Sequence, residues 1–279
     1  MSHIITLTAD FGDDAFAVAQ LQAVINNINP EALVINATNS LQSFNLIEGA
    51  FVLQEMSKLF SKFSRAIHVG VVDPGVGSAR KPIIIETENA LFVGPDNGLL
   101  LPAAKANKLL GVWEIDTKAV EERLNKSSLT PKPIRISNTF HGRDIFAPVA
   151  AFLSQHRGLE FELGRLVRQK LKNFQDLEFL PDQVVFIDPY GNIKINNPAQ
   201  YKLGQNFRFR VRNKLTCDCW HGHAKFCRTF DDVAKGEFLF YLGSNWNLEL
   251  AINLGSAAKK INAAVGDIIE IEKTYYSGE

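Results

Sequence analysis

Over roughly the first 155 residues, short apolar runs alternate with longer stretches whose apolar positions recur every three or four residues. Ile4, Ile5 and Leu7 predict a first strand. Asp13 and Asp14 supply helix-start chemistry ahead of Phe16, Leu21, Val24 and Ile25 at helical spacing. A second strand over 32–35 leads to a helix with Leu46, Ile47, Ala50, Phe51, Leu53 and Met56 on its apolar side. Further strands are expected over 67–72, 83–86 and 91–93, and a further helix over 144–153. This alternation predicts a mostly parallel sheet flanked by helices, with ligand sites in the loops at the carboxyl ends of the strands.

Past about residue 180 a period of two takes over. Residues 184–187, 193–195, the alternating Phe207, Arg208, Phe209, Arg210, Val211, and then 238–242, 248–252 and 268–271 read as short strands separated by Gly or Asn. They predict a smaller antiparallel β-barrel. A charged stretch over 165–182, with Arg168, Lys170, Lys172, Asp176, Glu178 and Pro181, divides the two textures. We therefore expect an α/β protein with an N-terminal α/β domain over 1–170, a linker over 171–182 and a C-terminal β-barrel domain over 183–279. No internal repeat or low-complexity tract interrupts this plan.

Composition narrows the class. The 279 residues suffice for one large or two ordinary domains, and 30 Lys+Arg balance 30 Asp+Glu. Zero net charge removes the bulk attraction on which most nucleic-acid and polybasic membrane binders rely, so neither partner is expected. Three cysteines are too few for a disulfide framework and point to a reducing compartment. The first residues lack a basic region followed by an apolar stretch, and no segment approaches the roughly 20 apolar residues of a membrane span. A cytoplasmic protein is expected.

Three strand-end loops gather polar residues. In the first, Asp10 follows strand one, where a carboxylate either caps the next helix or accepts hydrogen bonds from a ribose diol; taken alone, the cap is the better reading. The second runs from Val72 through Asp73, Pro74, Gly75, Val76 and Gly77 to Arg80. It lacks the Lys-Ser/Thr of a phosphate loop and the third glycine of a dinucleotide fingerprint. Asp73 and Arg80 stand on opposite shoulders of it, either as an ordinary ion pair worth at most about 1 kcal/mol or as paired functional groups. The third loop carries His141 at a loop-to-helix junction, where an imidazole that titrates near neutrality either handles water or merely packs.

In order along the chain, TADFG (8–12), DPGVGSARKP (73–82), GPDNGLL (94–100), TFHGRDIFAP (139–148), DPYGN (188–192) and GSNWNLELAIN (243–253) resemble the S-adenosylmethionine hydroxide adenosyltransferases. These are the water-using relatives of the enzymes that attach fluoride or chloride to the same substrate. The resemblance spans residues 4 to about 257. It implies hydrolysis of S-adenosyl-L-methionine to adenosine and L-methionine, with Asp73, Arg80 and His141 as the catalytic residues that dispose the attacking water. It also implies that Asp10 holds the ribose hydroxyls and that Phe44 lies beside the ribose. Asn192, flanked by Asp188 and Tyr190, would bind substrate, and Ser244, Glu249 and Ile252 would bind its amino-acid and adenine ends. A homotrimer, with each site between the N-terminal domain of one subunit and the C-terminal domain of a neighbour, is implied as well.

The implied chemistry is consistent with these residues. The sulfonium leaves as a neutral thioether and needs no general acid, so the difficulty lies in holding and deprotonating water in line with the C5′–S bond. No cofactor is expected. The halide enzymes have an aromatic residue where this chain has Asp73, and the fluoride enzyme has a serine at Gly142; a carboxylate at the attack site repels halide but tolerates water. Two segments depart from the family pattern. Asn245 and Trp246 replace smaller or basic residues, and Lys194 stands at a position that is aromatic in the halide enzymes. Cys217, Cys219, His221 and His223, with Cys227 beyond, fall on one face of a strand, but a straight strand would spread them over about 20 Å, so zinc is not expected there. A non-catalytic S-adenosylmethionine or adenosine sensor, and a zinc-dependent interaction module, are the alternatives.

Overall fold

The computed structural model describes residues 4–12, 15–60, 66–126, 135–155, 164–198, 200–212 and 219–273. Asp13, Asp14, Cys217 and the side chain of Cys219 lie outside the described residues. The chain divides into two compact units, Met1–Glu178 and Phe179–Glu279.

The first unit is a seven-stranded sheet built from β1 (Ile4–Ala9), β2 (Leu33–Thr38), β3 (Ala66–Val71), β4 (Pro82–Thr87), β5 (Ala90–Pro95), β6 (Leu109–Ile115) and β7 (Val167–Lys170). Their order is β2-β1-β3-β5-β4-β6-β7. The half from β2 to β5 is parallel, as the strand–helix alternation predicts, and the half from β5 to β7 is antiparallel. All residues of β3 and β5 are buried, which accounts for their near-continuous apolar runs. Helix α1 (Ala15–Ile28) turns Val18, Leu21, Ile25 and Ile28 onto one sheet face, against α5 (Ala147–Leu153); Phe16 stays exposed. Helix α2 (Leu46–Phe60) packs with α3 (Leu101–Ala106), and α4 (Thr117–Lys126) buries Val120 and Leu124.

The chain leaves β1 for β2 on one side and then returns to β3 on the other. The carboxyl ends of β1 and β3 are therefore the topological switch point, where open α/β sheets bind ligands. Ala9 pairs with Val71 there, so Asp10 and Asp73 emerge from adjacent strand ends.

The second unit is a closed barrel of β8 (Gln183–Ile187), β9 (Ile193–Asn196), β10 (Asn206–Arg212), β11 (Cys219–Phe226), β12 (Phe238–Leu242), β13 (Leu248–Ile252) and β14 (Ile268–Lys273), in the order β10-β11-β12-β13-β9-β8-β14. Its pairs are antiparallel with one exception that the sequence pattern does not reveal: β11 and β12 run parallel over Lys225–Leu239 and Phe226–Phe240. Phe207, Phe209 and Val211 point inward while Arg208, Arg210 and Arg212 point out, and Phe209 packs edge-to-face on Phe240. Ser256 caps the short helix α6 (Ala257–Ile261) by accepting from the Lys259 N–H.

Candidate functional site

In the first unit the three polar loops converge on a small cleft of about 90 Å³, lined among others by Asp10, Phe44, Asp73 and His141. Phe11 and Phe140, packed edge-to-face at 5.7 Å between centroids, form an aromatic wall. Asp10 Oδ2 accepts from the Phe44 N–H at 2.8 Å. Phe44 has φ +64° and a side chain that is 69% exposed, a strained position costing on the order of 1 kcal/mol that holds a large apolar ring out beside the carboxylate.

Asp73 and Arg80 fold back on each other across the Pro/Gly loop. Arg80 Nε donates to Asp73 Oδ1 at 2.9 Å, and Arg80 Nη2 donates to Asp73 Oδ2, giving a bidentate pair. Both side chains are over nine-tenths buried, so this is no ordinary surface ion pair; removing one partner would strand the other's charge. The loop is held from both sides: Asn97 Nδ2 donates to the Val72 carbonyl at 2.9 Å, and Gly77, at φ +76°, lies against the backbone of Asn138. Arg80 Nη2 also donates to His141 Nδ1 at 2.8 Å, although 61 residues separate the two. A guanidinium has no acceptor, so Nδ1 carries the lone pair and the neutral ring carries its proton on Nε2. Burial first, and then the Arg80 charge, lower the His141 pKa below its ordinary 6.5. Arg80 Nη1 is buried and unbonded, a donor with no protein partner.

His141 sits at the mouth of a π-helical turn, Gly142–Phe146, that runs into α5, where the sequence predicts a plain helix. Such turns are frequent at functional sites. Asp144, buried in this turn, accepts from the Ser137 N–H at 2.9 Å and from Arg143, tying the loop that carries His141. A Cβ on Gly142 would come within 3.1 Å of Val71, so glycine lets the turn close on the end of β3.

In the barrel unit, a cleft of about 830 Å³ opens on the outer face of β9, β13 and β12. Asp188, Tyr190, Asn192, Ser244, Glu249 and Ile252 all line it. Asp188 shapes its own loop, accepting from the Tyr190 and Asn192 N–H groups at 2.9 Å each and from Asn192 Nδ2 at 2.8 Å. Glu249 is almost wholly buried and pairs in register with Lys194 on one side and Tyr241 on the other. Its Oε1 accepts from Lys194 Nζ and its Oε2 from the Tyr241 hydroxyl. Burial, followed by that bond to Glu249, pushes the Tyr241 phenol far up, so it remains a donor. Tyr241 was not singled out by sequence reasoning, although its alternation with Phe240 marks it as outward-facing; nothing in the sequence alone shows that Lys194 joins Glu249.

His221 and His223 lie exposed on β11, in register with Arg210 and Arg208, and Cys227 is buried. Among the described residues no group of three His, Cys, Asp or Glu is arranged to hold a metal, and no helix is long and apolar enough to cross a membrane.

A switch-point crevice bearing a part-buried Asp–Arg–His chain, and a closed barrel carrying a polar, aromatic-edged cleft, define a two-unit α/β protein. Residues 5–162 match the SAM hydroxide adenosyltransferase N-terminal domain and residues 182–270 the corresponding C-terminal domain, and the chain belongs to that family. It is 35% identical over 273 residues to the (R)-S-adenosyl-L-methionine hydrolase of Salinispora arenicola, covering 96% of this chain and 97% of that one. It is 31% identical to the protein of the same name from Methanocaldococcus jannaschii, covering 96% and 95%. An uncharacterized conserved protein from Thermotoga maritima has a crystal structure that superposes with a TM-score of 0.80 at 32% identity, covering 96% of this chain and 99% of that one.

Proposed function

We propose that this chain hydrolyses S-adenosyl-L-methionine, in the (R)-sulfonium form that names its relatives, to adenosine and L-methionine. The observation that carries the reading is the hydrogen-bonded chain Asp73–Arg80–His141, part-buried beside Asp10 at the switch point. In this reading Asp10 accepts from the ribose hydroxyls through the oxygen that Phe44 leaves free, with the Phe44 ring against the sugar. Water sits at the Nε2–H of His141, with the Arg80 charge behind the ring on Nδ1, and the two together favour hydroxide-like charge as it develops. Its oxygen bonds to C5′ as the C5′–S bond breaks; sulfur keeps the bonding electrons and leaves as a neutral thioether, and the oxygen releases one proton to solvent water. Asp73 fixes Arg80, and its charge disfavours a halide in place of water. The chemistry needs no cofactor, because the leaving group is neutral.

We also propose a homotrimer in the cytoplasm, in which the switch-point cleft of one subunit and the barrel cleft of a neighbour hold one substrate. Light scattering should give three times the 31.1 kDa chain mass. The reaction itself is tested with S-adenosyl-L-methionine in ¹⁸O-water: the label should appear at the 5′-oxygen of adenosine. Intact substrate after prolonged incubation would instead identify a binding protein, and unlabelled adenosine would exclude direct attack of water at C5′.

A further inference from the structure

The barrel cleft is lined by three carboxylates, Asp188, Asp231 and Glu249, and among the described residues by one cation, Lys194. Two of the acids are committed: Asp188 bonds within its own loop, and Glu249 is bonded at both oxygens, by Lys194 and Tyr241. Lys194 is not. An ammonium has three N–H donors, and Glu249 takes one of them. The Lys194 side chain is only 14% exposed and the residue lines the cleft, so little bulk water serves the other two. A desolvated donor of this kind favours an acceptor from a ligand.

The row is also built to hold Lys194 in place. Lys194, Glu249 and Tyr241 are directly opposite one another on β9, β13 and β12, where cross-strand neighbours lie close. Gly243 leaves the space that Glu249 fills: a Cβ there would overlap the carboxylate.

The proposed substrate carries two cationic groups, sulfonium and α-ammonium, and one anionic group, the carboxylate of its methionine end. The remaining acid, Asp231, suits the cations. We propose that Lys194, held by Glu249 and Tyr241, recognises the substrate carboxylate and is the residue that selects a free amino-acid end. This assignment rests on the proposed substrate and extends it. Glu249 then acts through Lys194, as a positioning residue.

The test compares S-adenosyl-L-methionine with the same sulfonium lacking its carboxylate, by equilibrium binding and by turnover, in the wild type and in Lys194→Met, Lys194→Arg and Glu249→Gln. The wild type should favour the carboxylated compound by about 10- to 100-fold, expressed in Kd and KM more than in kcat. Lys194→Met should bring that preference to within about threefold of unity, and Lys194→Arg should keep most of it, which separates lost recognition from lost folding. Glu249→Gln should reduce it partially. Adenosine affinity should not follow the same trend. If Lys194→Met retains the wild-type preference, or if adenosine affinity falls by the same factor, the assignment is wrong; the latter would place Lys194 on the purine. A wild type that binds both compounds with the expected preference yet turns over neither would overturn the hydrolase reading and leave the carboxylate assignment standing.

Discussion

Gly77 joins the two loops on which the proposed chemistry depends, and replacing it with alanine tests that dependence. Its φ of +76° is in the left-handed region, where an alanine costs about 1–2 kcal/mol. The added Cβ would also fall on the Asn138 carbonyl oxygen, inside the 3.0 Å that such contacts respect. That oxygen is backbone, so no flexible side-chain end can yield; one loop must move by several tenths of an ångström. Asn138 lies three residues before His141, and Gly77 three before Arg80, so the displacement acts on the 2.8 Å bond between them. A misplacement approaching 1 Å at a reacting group costs about 100-fold. We expect Gly77→Ala to lose about 2–4 kcal/mol in urea unfolding and roughly 10- to 100-fold in kcat, measured by adenosine release. Gly236→Ala is the control: φ is +85° but nothing lies within 4 Å of the added Cβ, so strain acts alone and kcat should hold. A folded Gly77→Ala protein with kcat within threefold of wild type would show that the spacing of these loops does not set the site.

Arg80→Ala and His141→Ala should each lower kcat by about 100-fold or more in properly assembled protein, and near-full turnover in either would remove that residue from the mechanism. Asp10→Asn should weaken adenosine binding by roughly tenfold by removing a charge-assisted bond to the ribose, as titration calorimetry would show. Because the His141 pKa is lowered, the neutral ring persists into mild acid; the acid limb of kcat/KM should therefore have its midpoint below 6.5, and a midpoint above it would contradict the role given to the neutral ring. His68 is buried against Phe92 and bonded to the Thr6 hydroxyl at 2.7 Å, with its pKa lowered by burial to about 4. Between 6.5 and about 4 the unfolded chain binds a proton that the folded chain does not, so stability is fullest above 6.5 and declines as pH falls through that window, by on the order of 3 kcal/mol. Urea titrations at pH 7.5 and 4.5 should show that loss in the wild type and less of it in His68→Phe.

The parallel half of the first sheet was legible because buried strands must be apolar throughout, and 66–71 and 90–95 are nearly so. The barrel strands were legible because Phe207, Phe209 and Val211 alternate with arginines. Sequence could not show the parallel pairing of β11 with β12, because strand direction depends on connections rather than on residue pattern. The π-helical turn was hidden in the same way: Ile145 and Phe146 fit helical periods of either kind. Spacing allowed Asp73 and Arg80 to meet, since seven residues of Pro/Gly loop can fold back. It held no information on the meeting of Arg80 with His141, or of Lys194 with Glu249 and Tyr241, both of which are set by register and packing between distant segments. Motif resemblance brought the individual residues to attention; the fold supplied their partners.

The alternation of β13 separates two kinds of constraint at the scale of a single residue. Leu248 and Leu250 face the barrel interior, whereas Glu249 between them belongs to the cleft outside. Leu248 and Leu250 can thus drift among apolar side chains of similar volume without altering the atoms a ligand would touch, whereas Ile252, which packs in the core and also lines the cleft, cannot. In a deep mutational scan read out separately for abundance and for turnover, tolerance along this strand would oscillate with a period of two: the leucines would limit how much protein accumulates, and the glutamate would limit what each molecule accomplishes.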